Sequence, residues 1–143
     1  SSINENLMNV LKNEINLHEA SPKNLFKTSC DIVSPCALGG AINFSIKDQL
    51  NCKGIVGAAN NQLDKSTTAE WLFKNNILYA PDYLVNAGGV IAIASEINKS
   101  ENKLNKQLDE IGKRLKQVLE QSYKEKKSTE MVANQIAWKR INS

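Results

Sequence analysis

Asn60 and Asn61 stand side by side at the end of a short apolar run, Gly54-Ile55-Val56-Gly57-Ala58-Ala59. An asparagine side chain offers one acceptor and two donors without a charge, which suits a carboxamide partner. Gly and Ala before the pair let a flat ligand approach the backbone. A run of this composition reads as a buried parallel strand, and in open α/β sheets ligands bind outside the carboxyl ends of the strands. The same residues also read as a plain turn with amide caps, so the pair alone does not decide.

The elements that would position these residues alternate between strand and helix. Ser2-Ile3-Asn4-Glu5 reads as a capping box. Ile3, Leu7, Val10, Leu11 and Ile15 follow at helical spacing, predicting a helix over roughly 3–15. Ser21-Pro22 starts a turn or short helix. Asp31–Pro35 reads as a short buried strand around Ile32-Val33. The loop Cys36–Gly40 and a helical turn at Ile46–Leu50 lead into a second strand, Gly54–Ala59. Thr67 or Thr68 is expected to cap a helix carrying Trp71, Leu72 and Phe73, ended by Asn75-Asn76. Ile77-Leu78-Tyr79 gives a third strand.

Pro81-Asp82 opens a helix containing Leu84, Val85, Val90, Ile91 and Ile93. Gly88-Gly89 inside it costs about 1 kcal/mol per glycine against alanine, so something is expected to pack very close there. From Glu101, Leu104, Leu108, Ile111, Leu115 and Val118 predict one long amphipathic helix. Its wet face offers Asp109/Lys113, Glu110/Arg114 and Glu120/Lys124 as i,i+4 ion pairs. A shorter helix follows Ser128 with Met131, Val132, Ile136 and Ile141. The apolar seam of this helix pair fits its own domain or another subunit. The fold expected is α/β, an incomplete Rossmann-like parallel sheet of about three strands followed by carboxyl-terminal helices. The boundary falls between 1–100 and 101–143. Three strands are few for a self-sufficient doubly wound sheet, and the glycine-rich phosphate loop of dinucleotide binders, G-x-G-x-x-G, is absent, so the sequence reads as the second half of something larger.

Composition narrows the function classes. With 143 residues, 41% hydrophobic and 23% charged, the chain is ordinary for a globular domain. A net charge of +3, its basic residues interleaved with acids, does not define a nucleic-acid surface. No apolar stretch approaches the roughly 20 residues that span a membrane, and the polar amino terminus does not read as a signal peptide. Cys30, Cys36 and Cys52 with the single His18 do not make a zinc pattern. Reduced thiols in a cytoplasmic protein fit better. His18 reads as a surface residue.

Three segments in register carry a family resemblance. They are Pro35-Cys36-Ala37-Leu38-Gly39-Gly40, Gly57–Leu63 around the paired asparagines, and Tyr79-Ala80-Pro81-Asp82-Tyr83-Leu84-Val85-Asn86-Ala87-Gly88-Gly89-Val90-Ile91. Together they resemble the NAD-binding domain of the glutamate/leucine/phenylalanine/valine dehydrogenase superfamily, nearest to its leucine dehydrogenases. The resemblance implies NAD as cofactor and oxidative deamination of a branched-chain L-amino acid to its 2-oxo acid and ammonia. It implies that Cys36, Ala37 and Leu38 line the adenosine and ribose side, and that Ala59 and Asn60 lie beside the nicotinamide ribose. Asn61 would sit near the nicotinamide and the substrate head group, and Asn86 near the carboxamide.

Val90 and Ile93 match positions lining the substrate side-chain pocket, although by spacing alone both read as core helix positions. Ile93 stands where many leucine dehydrogenases carry valine, which narrows the implied pocket. Ser2 falls where the family holds the adenine ribose with an acid, leaving NAD against NADP open. The family's lysines and aspartate for proton transfer have no counterpart in this sequence, so no catalytic residue and no metal ligand is assigned. The chain alone is expected to be inactive, to bind cofactor weakly and to self-associate through a free sheet edge, with a homo-oligomer in the whole enzyme. A glutamate dehydrogenase fragment and a non-catalytic dinucleotide-binding module are the alternatives.

Overall fold

Three short parallel strands lie in sequential order: β1 (Cys30–Val33), β2 (Cys52–Ile55) and β3 (Leu78–Tyr79). The computed structural model describes residues 5–15, 17–21, 24–99 and 103–143. The Ser2 capping box and Pro22 lie outside the described residues. Cys30 pairs with Cys52 and Val33 with Ile55, and Ile55 pairs in turn with Tyr79. Parallel neighbours need long connections. A 3₁₀ turn at Phe44–Gln49 lies in the first, and helix α2 (Ser66–Lys74) forms the second.

Upstream, α1 covers Glu5–Glu14, and a further 3₁₀ turn covers Leu25–Lys27. Downstream come α3 (Asp82–Val85), α4 (Gly88–Ile97), α5 (Leu104–Glu125) and α6 (Thr129–Ile141). The expected α/β fold with a three-strand parallel sheet is the one observed.

The sheet core gathers Ile42, Ile55, Leu72, Ile77 and Tyr79, with Phe26, Val33 and Trp71 against it. Fully burying an aliphatic side chain such as Ile55 or Leu72 is worth roughly 1.5–3 kcal/mol. A second cluster, Val118, Val132 and Ala133 with Leu84 and Ile136, seats α5 and α6 on the body of the domain. The Thr129 hydroxyl donates to the Tyr79 carbonyl at 2.6 Å, pinning the start of α6 to β3. The amphipathic seam predicted for α5 holds: Leu104, Leu108, Ile111 and Leu115 are half-buried and Val118 is buried. Lys126, at φ 55°, ends that helix in the left-handed region. Ser128 caps α6 by accepting from the Met131 N–H.

Several boundaries differ from the sequence expectation. The first strand begins at Cys30 and ends at Val33, and the second begins at Cys52 and ends at Ile55, short of Ala59. Beyond Ile55 the chain continues alongside the exit from β1, where Gly57 crosses Pro35 so closely that a Cβ would not fit. Neither Thr67 nor Thr68 caps α2. The cap position is Lys65, and the Thr68 hydroxyl instead donates to Asp64 Oδ1 at 2.6 Å. The helix expected from Pro81 to Ile93 is two helices, broken at Asn86-Ala87. Gly88-Gly89 therefore opens α4, where helix propensity matters least.

Among the described residues no atom packs tightly on that pair. A Cβ on Gly88 would meet Leu108 Cδ2 at an ordinary 3.5 Å, and one on Gly89 nothing within 4 Å. The ion pairs on α5 also differ: Lys113 meets Glu110 at i,i+3 and Lys116 meets Glu120 at i,i+4. Among the described residues no helix is long and apolar enough to cross a membrane.

Candidate functional site

The loops leaving β1 and β2 run side by side at the carboxyl rim of the sheet. Backbone bonds stitch them together. Ala59 N–H donates to the Pro35 carbonyl (3.0 Å), Gly40 N–H to Asn61 (2.7 Å) and Ile42 N–H to Gln62 (3.0 Å). Gly39 is needed at this crossing, since a Cβ there would stand 2.9 Å from the Asn60 carbonyl oxygen and 3.1 Å from that of Asn61. Small residues thus bring the Gly39-Gly40 end of the Cys36–Gly40 loop against the asparagine pair.

Asn60 is brought to Asn86. The Asn86 Nδ2 donates to Asn60 Oδ1 at 2.6 Å across the ends of β2 and α3. Asn61 is held at φ 51°, a left-handed conformation that asparagine tolerates better than most residues. It lines a polar hollow of about 280 Å³ with Lys65, Asp82, Tyr83 and Glu130. Cys36, Ala37 and Leu38 line a different and larger groove of about 590 Å³, along the outer edge of β1 beside Ile32. Ile32 and Leu38 are exposed, at 53% and 79%. His18 borders the same groove and is exposed. Ala59 is buried beneath the asparagines.

Val90 and Ile93 are not core positions. They are 73% and 60% exposed on α4, so their apolar surface is directed away from this chain's own core.

Charge at the rim is acidic on one side and neutral on the other. Burial, and then Glu130 and Asp82, push the Tyr83 hydroxyl upward, while burial and Asp82 do the same for Tyr79. Burial also raises Glu130, with Asp82 adding to it and a bond from Asn134 opposing. On the groove side, Ser34 and then the Ala58 backbone hold the exposed Cys36 thiol below its ordinary range. All three cysteines are free.

The Glu130 shift yields a pH-dependent expectation. With its folded pKa above the ordinary 4.5, ionised Glu130 costs stability at neutral pH. That cost disappears once the pH is below 4.5 and the group is protonated in both states. Glu130→Gln is therefore expected to raise the urea midpoint at pH 7 and to lose this advantage on acidification. An advantage equal at both ends of the titration would assign the effect to packing.

Two structural residues of the site carry no role in the sequence reading. Gln62 is fully buried, and its Nε2 donates to the carbonyls of Gly57 (2.7 Å) and Ala59 (3.0 Å). Asp82, read only as a helix start, accepts from the Gln62 N–H at 2.7 Å. Their sequence signal is position alone: Gln62 directly follows the asparagines and Asp82 opens the segment that ends in Asn86.

Three parallel strands in sequential order, with small residues and amides at their carboxyl rim, define a Rossmann-like α/β sheet. The chain belongs to the Glutamate/Leucine/Phenylalanine/Valine dehydrogenase family, whose profile matches residues 2–142. It is 33% identical to a leucine dehydrogenase of Bacillus cereus over its whole length, which is 39% of that protein. Over half the chain it is 53% identical to a phenylalanine dehydrogenase of Thermoactinomyces intermedius, matching 20% of that protein. The crystal structure of L-tryptophan dehydrogenase from Nostoc punctiforme superposes with a TM-score of 0.87 at 34% identity, covering 94% of this chain and 42% of that one. The chain thus spans less than half the length of each.

Proposed function

We propose that this chain is the carboxyl-terminal part of an NAD-dependent amino-acid dehydrogenase, acting on a branched-chain L-amino acid. The product is the 2-oxo acid with ammonia. The observation that carries the reading is the Asn86–Asn60 amide bridge at the carboxyl rim of the parallel sheet. The neutral amide side of the rim fits a carboxamide and ribose hydroxyls.

Cys36, Ala37 and Leu38 would hold the adenosine side, Ala59 and Asn60 the nicotinamide ribose, and Asn86 the carboxamide. Asn61 would sit where nicotinamide and substrate head group meet. The chemistry NAD supplies when bound is acceptance of a hydride from the substrate α-carbon. This chain's residues orient and bind; the proton transfers fall to lysines and an aspartate of a separate substrate domain. Residues 1–100 are the cofactor-domain half and 101–143 a helical segment packed on it. The exposed Val90 and Ile93 side chains face the amino-acid substrate; the exposed apolar edge favours a homo-oligomer, and the three free cysteines favour a cytoplasmic enzyme.

A second reading, an aromatic substrate, is favoured by the 53% identity to a phenylalanine dehydrogenase over 73 residues. The deciding assay is turnover of leucine, valine, phenylalanine and glutamate with NAD by the full-length protein. Leucine or valine is expected to be preferred, and absence of turnover with all four overturns the proposal. Ile93→Val is expected to shift the ratio of kcat/KM between leucine and phenylalanine by about tenfold, the scale of one methylene in a pocket. Because Ile93 is exposed, its unfolding free energy should move by less than about 0.5 kcal/mol.

A further inference from the structure

Asn60 and Asn61 are exposed loop residues, so their placement has to come from something beneath them. That support is a closed circuit. Asn61 leads directly into Gln62, whose N–H donates to Asp82 Oδ2 at 2.7 Å, twenty positions further on. The Asp82 carbonyl accepts the Asn86 N–H at 2.8 Å. The Asn86 side chain returns to Asn60 at 2.6 Å.

Every link is short, and the two central residues are buried: Gln62 at 0% and Asp82 at 8% exposure. Gln62 closes its own side as well, since Nε2 bonds to Gly57 and Ala59 fold the 57–62 segment back on itself. Asp82 is fixed in turn by its N–H, which donates to the Tyr79 hydroxyl at 3.3 Å. Hydrogen bonds in such shielded places strengthen one another and resist exchange with water.

We propose that Gln62 and Asp82 are positioning residues for the cofactor site: they set the asparagine pair against Asn86 without touching the ligand themselves. The inference rests on the cofactor reading given under Proposed function. Gln62 joins the strand-end turn to the circuit, and Asp82 carries the constraint from the end of β2 to the start of α3. Losing either link frees Asn60 from Asn86, and the amide surface then has to be ordered by the ligand at a cost in affinity.

The test is a double-mutant cycle on NAD affinity in the full-length protein, read by calorimetric or fluorescence titration. D82A and N60A are each expected to weaken NAD binding by about tenfold, and the double variant no more than either alone, because both open one circuit. D82N retains a carbonyl acceptor for the Gln62 N–H and is expected to stay within about threefold of the parent. If D82A does not fold, Q62M takes its place in the cycle: it keeps the Gln62 N–H bond to Asp82 but removes the Nε2 bonds that fold the 57–62 segment beneath Asn60.

A purely structural role predicts a lower unfolding midpoint with NAD affinity of the folded protein unchanged, or losses that multiply. Either result overturns the proposal. Unchanged affinity in N60A overturns the cofactor reading and this proposal with it. An effect of N60A that neither D82A nor Q62M shares overturns the positioning role alone.

Discussion

Gly57→Val is expected to prevent folding, and Gly57→Ala to cost about 3 kcal/mol, at the upper end of what overpacking usually costs. A Cβ on Gly57 would lie 2.1 Å from the Pro35 carbonyl oxygen, 2.6 Å from its nitrogen and 2.7 Å from its Cδ. None of these is the far end of a flexible side chain. Pro35 is buried, and its carbonyl already accepts the Ala59 N–H at 3.0 Å, so retreat breaks the bond that joins the two rim loops.

The required residue is therefore glycine on steric grounds alone, at the point where β2's continuation crosses over β1's. Gly112→Ala is the matched control. Gly112 is exposed in the middle of α5, and a Cβ there meets nothing within 4 Å. That substitution is expected to stabilise by about 1 kcal/mol. Urea unfolding of the two alanine variants should move the midpoint in opposite directions. A parent-like midpoint for Gly57→Ala would mean that the loops part at little cost.

Gly57 also explains where the sequence was and was not legible. Hydrophobic pattern placed all three strands and the α5–α6 seam, because burial of Ile55, Leu72 and Val118 follows from spacing and residue type. It overran the second strand because Val56 through Ala59 is as apolar as a strand interior. Val56 N–H still reaches the Val33 carbonyl at 3.1 Å, yet its side chain is 36% exposed and the chain is already turning. Composition carries no trace of a contact with Pro35, twenty-two positions earlier.

The split between α3 and α4 was hidden for the same reason. Asn86 stops the first helix, its N–H returning to Asp82 and its side chain reaching Asn60, a partner set by tertiary structure. Val90 and Ile93 show the reverse. Their apolarity and helical spacing read as core, whereas the fold leaves them exposed. A periodicity identifies a face that prefers to be covered, without saying by what. The family resemblance named the asparagines, but the buried Gln62–Asp82 bond beneath them spans twenty residues and leaves no periodic mark.

Asn61→Gly in the full-length protein is expected to lower kcat by about a hundredfold, the scale on which a polar group aimed at a reacting centre acts. Two different demands meet at this residue, and glycine and alanine separate them. The backbone stands at φ 51°, where glycine sits freely and alanine is strained by roughly 1–2 kcal/mol. Asn61→Gly thus keeps the backbone turn and deletes only the amide, while Asn61→Ala deletes the amide and strains the turn. If the amide serves nicotinamide and substrate, both variants lose turnover alike and only Asn61→Ala also loses stability. If the residue is a turn former, Asn61→Gly keeps near-parental turnover and only Asn61→Ala suffers. The carbonyl of Asn61 holds Gly40 at 2.7 Å in either case, so the loop crossing survives the glycine substitution. Comparing kcat with the urea midpoint across the two variants therefore distinguishes an amide that acts on the ligand from one that merely ends a strand.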